Sequence, residues 1–273
     1  MNACVCVTGW HYYLDIFDKL FKIPDVDVYI VSHRPATDIP KLIYQCIPPE
    51  QIFIEPNLGY DWGCYQQFLQ KGIHNNYDFV FLMHDDISIL DESVFQACAT
   101  IIKKRDGRCV VGNGRVDAKR DWPLTHIHCY AHSVWKPPSW QFCHDVVRGS
   151  FIATSSDALN RIGDFEVMWD RRGYLGVGAG NWSLRATLGK IQATLGDEAF
   201  VYLSETYRSS QYIYEMERGQ LDTTQAKRSP MSQIYYTLLT NTSRVLMTSY
   251  MNTRSPSIKK FLKNFMQQIY HFL

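Results

Sequence analysis

The sequence predicts an α/β fold, a mixed, mainly parallel sheet flanked by helices and followed by a C-terminal helical extension. Three observations carry this. Strand-like apolar runs alternate with helix-like runs through the first half, the pattern of a sheet wrapped by its crossovers. The most apolar run, Asp78 to Met83, enters the polar cluster His84-Asp85-Asp86 directly, as a buried parallel strand does where it leaves the sheet. Beyond Tyr207 the composition shifts to Gln, Ser, Thr and bases, so we expect a domain over 1–210 and a basic helical extension over 211–273.

The elements follow in order. Ala3 to Val7 reads as a short strand and Tyr12 to Phe21 as an amphipathic helix stopped by Pro24. Val26 to Ser32 reads as a second strand ending at His33-Arg34-Pro35, followed by a helix near Lys41 to Cys46 and a strand Gln51 to Glu55. A Gly-rich turn then opens a helix from about Trp62 to Gln70. After Asp78 to Met83 come a helix Glu92 to Lys104 and a strand Cys109 to Gly112. The stretch Asn113 to Arg148, rich in Trp, His and Pro, reads as loops over a cleft. A strand Ser150 to Thr154, a short helix Asp157 to Ile162, a loop Gly163 to Gly180 and a helix Trp182 to Leu188 complete the domain.

Composition narrows the function classes. With 46% hydrophobic and 20% charged residues the chain is neither disordered nor collagenous. A net charge of +1 lacks the broad positive field of a nucleic-acid binder, so no nucleic-acid partner is expected. Seven of the 28 Lys and Arg follow Asp222 and no acid does. The last 51 residues therefore carry +7, and the first 222, with 21 bases against 27 acids, carry −6. Met1 to Val7 has no basic leader and no apolar run reaches about 18 residues, so the expected location is cytoplasmic. Reduced thiols fit that compartment, since the eight Cys include no CxxC pair.

Four strand ends carry chemistry. In His84-Asp85-Asp86 two adjacent carboxylates repel one another, and a divalent cation would relieve them; Mg²⁺ or Mn²⁺ takes a few hard oxygen ligands and leaves positions for phosphate oxygens. A solvated turn is the simpler alternative. In Asn57-Leu58-Gly59-Tyr60-Asp61-Trp62-Gly63, the glycines permit positive φ or close approach, while Asn57 and Asp61 can bond a ribose, a base edge or a phosphate-bound water. An Asx turn capping the helix is the competing reading. Thr8-Gly9 and Ser32-His33-Arg34 end two more strands, and ligands bind outside the carboxyl ends of such strands.

These residues resemble the nucleotide-sugar glycosyltransferases of the GT-A (Rossmann-like) fold, above all the family-two type and relatives in polysaccharide and rhamnan synthesis, over about residues 3 to 195. Phe81-Leu82-Met83-His84-Asp85-Asp86 is similar to the strand leading into the DXD motif, with His84 where the first Asp often stands. Asn57-x-Gly59-x-Asp61 resembles the upstream asparagine-glycine turn, and Arg148 to Ala153 the strand flooring the acceptor site. Ile162-Gly163-Asp164-Phe165-Glu166 resembles the Gly-Gly-Phe-Asp segment. Asn181-Trp182-Ser183-Leu184-Arg185 is similar to the helix that usually begins Glu-Asp-x-Asp-Leu-x-x-Arg.

The resemblance implies a nucleotide diphosphate sugar donor and a glycan or lipid-linked acceptor, with Mn²⁺ or Mg²⁺ on Asp86 and His84. Donor contacts would come from Thr8, Gly9, Arg34, Asn57, Gly59, Asp61 and Asp85, and acceptor contacts from Gly149, Ser150 and Trp182. The family's Glu-Asp, which supplies the base of inverting enzymes, falls on Gly178-Ala179 here. Asp170, Glu166 and Asp145 are the nearest carboxylates that could stand in, and a retaining mechanism also fits. A nucleotidyltransferase, or an inactive glycan-binding or scaffold relative, is the alternative. The stretch His126, His128, Cys129, His132, Cys143 and His144 lacks zinc-site spacing, and its neighbours Tyr130, Trp135, Trp140 and Phe142 suit an acceptor-sugar cleft.

At the C-terminus, positions 258, 261, 262, 265, 266 and 269 are apolar at helical spacing with Lys on the opposite face. Such a helix either docks on the globule or lies on an anionic membrane surface, which would make the protein peripheral on the inner face of a membrane.

Overall fold

A computed structural model describes residues 1–117, 138–143, 145–169, 176–204, 212–215 and 252–262, with isolated positions 129, 245, 249 and 264. The first half alternates as the pattern requires: β1 (Ala3–Gly9), α1 (Leu14–Leu20), β2 (Val26–Ser32), α2 (Lys41–Cys46), β3 (Ile52–Ile54), α3 (Tyr60–Gln70) and β4 (Phe79–His84). Then follow β5 (Ile87–Ile89), α4 (Val94–Lys104), β6 (Val110–Asp117), β7 (Asp145–Val147), β8 (Phe151–Ser155), α5 (Ser156–Ile162), α6 (Gly176–Leu195), β9 (Phe200–Ser204) and β10 (Ile213–Glu215).

One eight-stranded sheet runs in the order β3-β2-β1-β4-β8-β6-β7, with β9 also paired to β6. Its β3-β2-β1-β4 half is parallel, whereas β8 runs antiparallel to both β4 and β6. The sheet is therefore mixed, with its helices on both faces.

The period of two along each strand builds that sandwich. Val5, Val7, Phe81 and Met83 point to one face, where Ile16, Phe17 and Leu20 of α1 and Phe95, Cys98 and Ile102 of α4 cover them. Cys4, Cys6, Val80 and Leu82 point to the other, under Tyr65 and Phe68 of α3, Leu159 of α5 and Leu188 and Ile191 of α6. A fully buried side chain of this size contributes roughly 1.5–3 kcal/mol. Seven of the eight cysteines are buried and Cys46 is exposed.

Several elements differ from the sequence reading. The first helix starts at Leu14, because Tyr12 stands at φ 55 and its amide turns inward to Asp85. The fourth strand runs on through His84, which is thus a strand residue. β6 continues to Asp117 and pairs with β7 inside the stretch expected to be irregular. α6 starts six residues before Trp182. Ile213–Glu215, just beyond the expected boundary at 210, pairs with β5.

Candidate functional site

The parallel register brings four strand ends to one edge. Thr8 is level with His84, Gly9 with Ser32, and Ser32 with Ile54. The chain leaves this edge through the turns that carry Trp10, Arg34, Asn57 and Asp86, so the polar clusters singled out in the sequence share one rim.

At its centre stands His84. Its Nε2 lies 3.1 Å from Asp61 Oδ2 and its Nδ1 3.4 Å from Asp86 Oδ1. The ring stacks on Tyr65 at 6.3 Å between centroids, and the Tyr65 hydroxyl donates to the Gly149 carbonyl at 2.8 Å. Burial alone would lower the His84 pKa, but the two carboxylates outweigh it and hold it at about 10. His84 is therefore the cation that neutralises Asp61 and Asp86.

Asp85 faces the other way. Its Oδ2 accepts from the backbone N–H of Trp10, His11 and Tyr12 at 2.8, 2.7 and 2.6 Å. Burial pushes its carboxyl up to about 6, against the pull of the Tyr12 and Trp10 amides. Beside it, Arg34 donates through Nη1 to the Trp10 carbonyl at 3.0 Å and through Nε and Nη2 to Asp38.

Asp61 is set by the turn before α3. Gly59 stands at φ 76, which a side chain would strain, and a Cβ on Gly63 would collide with the Leu58 carbonyl. Asn57 is exposed beside His33, whose Nε2 pairs with Gln67 at 2.8 Å. Next to His33, burial pushes the Cys64 thiol well above its ordinary range and the His33 pKa down. The two are thus a thiol and a neutral imidazole, and not a nucleophilic pair.

The acceptor candidates divide. Ser150 is buried and its carbonyl accepts the His84 N–H at 2.9 Å, which ties β8 to the site, and Gly149 lies against Trp62. Trp182 is fully buried, edge-on to Phe142 at 6.3 Å, so its ring serves the core. Glu166 is half-buried, and its backbone is tied to Thr187. Asp145 lies in β7 opposite Asp117; its side chain, Asp170 and the stretch 118–137 apart from Cys129 lie outside the described residues.

Sequence reasoning missed Trp169. It is 42% exposed at the end of a segment whose preceding residues, Val167 and Met168, are 3% and 1% exposed. Its indole packs against Gly59 and Gly63, the turn that carries Asp61. Gln66 and Ser183 hold the segment by bonds to Asp164, Phe165 and Met168. The usable signal was an indole in the loop between two helices that cover the sheet.

Asp61 and Asp86 supply hard carboxylate oxygens on either side of His84, whereas Asp85 is already bound by three amides. Among the described residues no group of three or more His, Cys, Asp or Glu can hold a metal alone.

No protein-family model matches the chain, and no curated protein is significantly similar to it. Several solved structures match the chain at low identity. One is the mannosyltransferase PcManGT from Pyrobaculum calidifontis in complex with GDP-Man and Mn²⁺, 13% identical, with 97% of this chain and 69% of that one covered and a TM-score of 0.48. Another is glucosyl-3-phosphoglycerate synthase from Mycobacterium tuberculosis with phosphoglyceric acid, 13% identical over 88% and 79% of the two chains, TM-score 0.48. A third is S. aureus TarS 1-349 in complex with UDP-GlcNAc, 14% identical over 98% and 70%, TM-score 0.44.

Proposed function

We propose that the chain is a GT-A type glycosyltransferase that moves a sugar from a nucleotide diphosphate sugar to a glycan or lipid-linked acceptor. The supporting observation is the Asp61–His84–Asp86 cluster at the edge where four strands end together. Carboxylates held at such a switch point, beside a positive-φ glycine turn, are what a metal-bridged diphosphate needs.

Asp86, with Asp61 and a deprotonated His84 beside it, would hold Mn²⁺ or Mg²⁺. When bound, the ion neutralises charge on the leaving diphosphate. Thr8, Gly9, Arg34, Asn57 and Gly59 form the walls against which the nucleotide and sugar lie. Gly149 and Ser150 would floor the acceptor side, and Trp169, against the turn that carries Asp61, would offer it an exposed ring. A base must reach the acceptor hydroxyl within hydrogen-bond range, a role we assign first to Asp170 and then to Glu166 or Asp145. Gly178-Ala179 in place of Glu-Asp keeps a second reading open, an inactive glycan-binding relative.

The C-terminal tail would place this site beside a membrane. Among the described residues no helix is long and apolar enough to cross one. Residues 256–262 are helical, with Ile258 50% and Phe261 66% exposed next to exposed Lys259 and Lys260, and we propose peripheral binding to an anionic leaflet through this face.

A screen of nucleotide sugars with Mn²⁺ tests the enzymatic reading. Slow hydrolysis or transfer of at least one donor, reduced roughly 10² to 10⁴-fold in Asp170→Asn with donor affinity unchanged, is the expected result. Glycan binding without turnover of any donor would select the inactive relative.

A further inference from the structure

Given the donor site proposed above, we propose that Asp85 is a positioning residue, which holds the loop between β1 and α1 in place and does not itself touch the donor. The loop spends its polar groups inward. Three successive amides, those of Trp10, His11 and Tyr12, end on one carboxylate oxygen, and Tyr12 adopts φ 55 to turn the third one in. Asp85 is 2% exposed, so this is an anion nest filled from within the chain.

The loop is braced from the opposite strand as well. The Tyr12 hydroxyl donates to Ser32 Oγ, which in turn bonds the Arg34 backbone at 2.8 and 3.0 Å. Arg34 Nη1 reaches the Trp10 carbonyl at 3.0 Å, and its guanidinium stands 5.9 Å from the Trp10 ring. A Cβ on Gly9 would overlap both the Tyr12 hydroxyl and Ile30, so the chain can pass here only as glycine. The result is a loop fixed between the ends of β4 and β2. It leaves Trp10 and His11 half-exposed on the rim while Tyr12 stays buried.

Turning Asp85 outward to meet a donor would strand three amide donors at once, and it would point a second carboxylate at the diphosphate that Asp86 already faces. Its neighbour Asp86 shows the opposite arrangement, with its carboxylate on His84 at the rim. The two adjacent acids thus divide the work: Asp86 serves the ligand and Asp85 serves the loop.

Amide exchange and calorimetry on the full chain decide this, using wild type, Asp85→Ala and Asp85→Asn with UDP and GDP in Mn²⁺. Asn keeps an acceptor oxygen for the loop but loses the charge. We expect Asp85→Ala to speed exchange of the Trp10, His11 and Tyr12 amides by tenfold or more, and to weaken nucleotide binding about tenfold. Asp85→Asn should restore most of both. Unchanged exchange in both variants, with binding equally impaired in Ala and Asn, would overturn the proposal and make Asp85 a direct contact. If wild type binds neither nucleotide, the donor reading fails, and the exchange rates alone then decide whether Asp85 holds the loop. A melt of each variant separates loop release from global unfolding.

Discussion

His84 Nε2 lies 3.1 Å from Asp61 Oδ2, joining the end of β4 to the first turn of α3 across the rim of the sheet. The atom is buried, and the carboxylate beside it favours the ionised ring by its charge and by hydrogen bonding. With Asp86 on the other ring nitrogen, His84 can remain ionised although its side chain is only 11% exposed. The carboxylates of Asp61 and Asp86 are thereby held on one imidazole ring before any ligand arrives.

This pairing makes stability depend on pH in a defined direction. The folded His84 pKa of about 10 lies above its ordinary 6.5. The stabilisation is therefore complete below pH 6.5 and is lost as pH rises through 10, at up to about 1.4 kcal/mol per pH unit in that window. In EDTA, the wild-type Tm should fall more steeply from pH 7 to 10 than that of His84→Gln. Parallel curves would show that His84 is neutral when folded.

Trp169 supplies an exposed ring beside the turn that carries Asp61, where we propose that the acceptor lies. Sugar faces stack on such rings, and an aromatic contact contributes about 0.5–1.5 kcal/mol beyond area. In Trp169→Ala the acceptor KM should rise up to about tenfold while nucleotide affinity stays within about twofold. Equal losses of both would place the indole in the donor site or in the packing of α3.

The strands that position this site were legible because they are apolar on both faces and short. Ala3 to Val7 and Phe79 to Met83 could be read as buried strands from composition alone, and the polar residues after them as the rim. What escaped was pairing at a distance. Tyr12 fits the helical period, yet its amide is claimed by Asp85, 73 residues away. β6 runs through Gly112-Asn113-Gly114, poor strand formers that are held by β8, β7 and β9. Trp182 was expected as an acceptor contact from its place in the motif, which says nothing of depth, and the structure buries it edge-on to Phe142, from a distant segment. His84 and Asp86 were read as one cluster and Asp61 as part of another; that His84 joins the two acids depends on the fold that brings the start of α3 to the end of β4.

The tail predicts binding that salt can reverse. If Ile258 and Phe261 enter the headgroup region with Lys259 and Lys260 beside them, the full chain should sediment with anionic vesicles and not with neutral ones. Each nearby Lys adds about 1 kcal/mol at low salt. Ile258→Asp with Phe261→Asp should abolish this without lowering the Tm. A pair of substitutions that destabilises the fold and leaves vesicle binding intact would mean that the helix docks on the globule.

The most direct test of the site is nucleotide affinity in Asp86→Ala, measured by calorimetry with UDP and GDP, with and without Mn²⁺. Asp61 still pairs His84 in that variant, so the fold should survive while Mn²⁺-dependent binding of the nucleotide falls by roughly two orders of magnitude. Wild-type affinity in Asp86→Ala, with the same response to Mn²⁺, would contradict a metal-bridged donor at this rim.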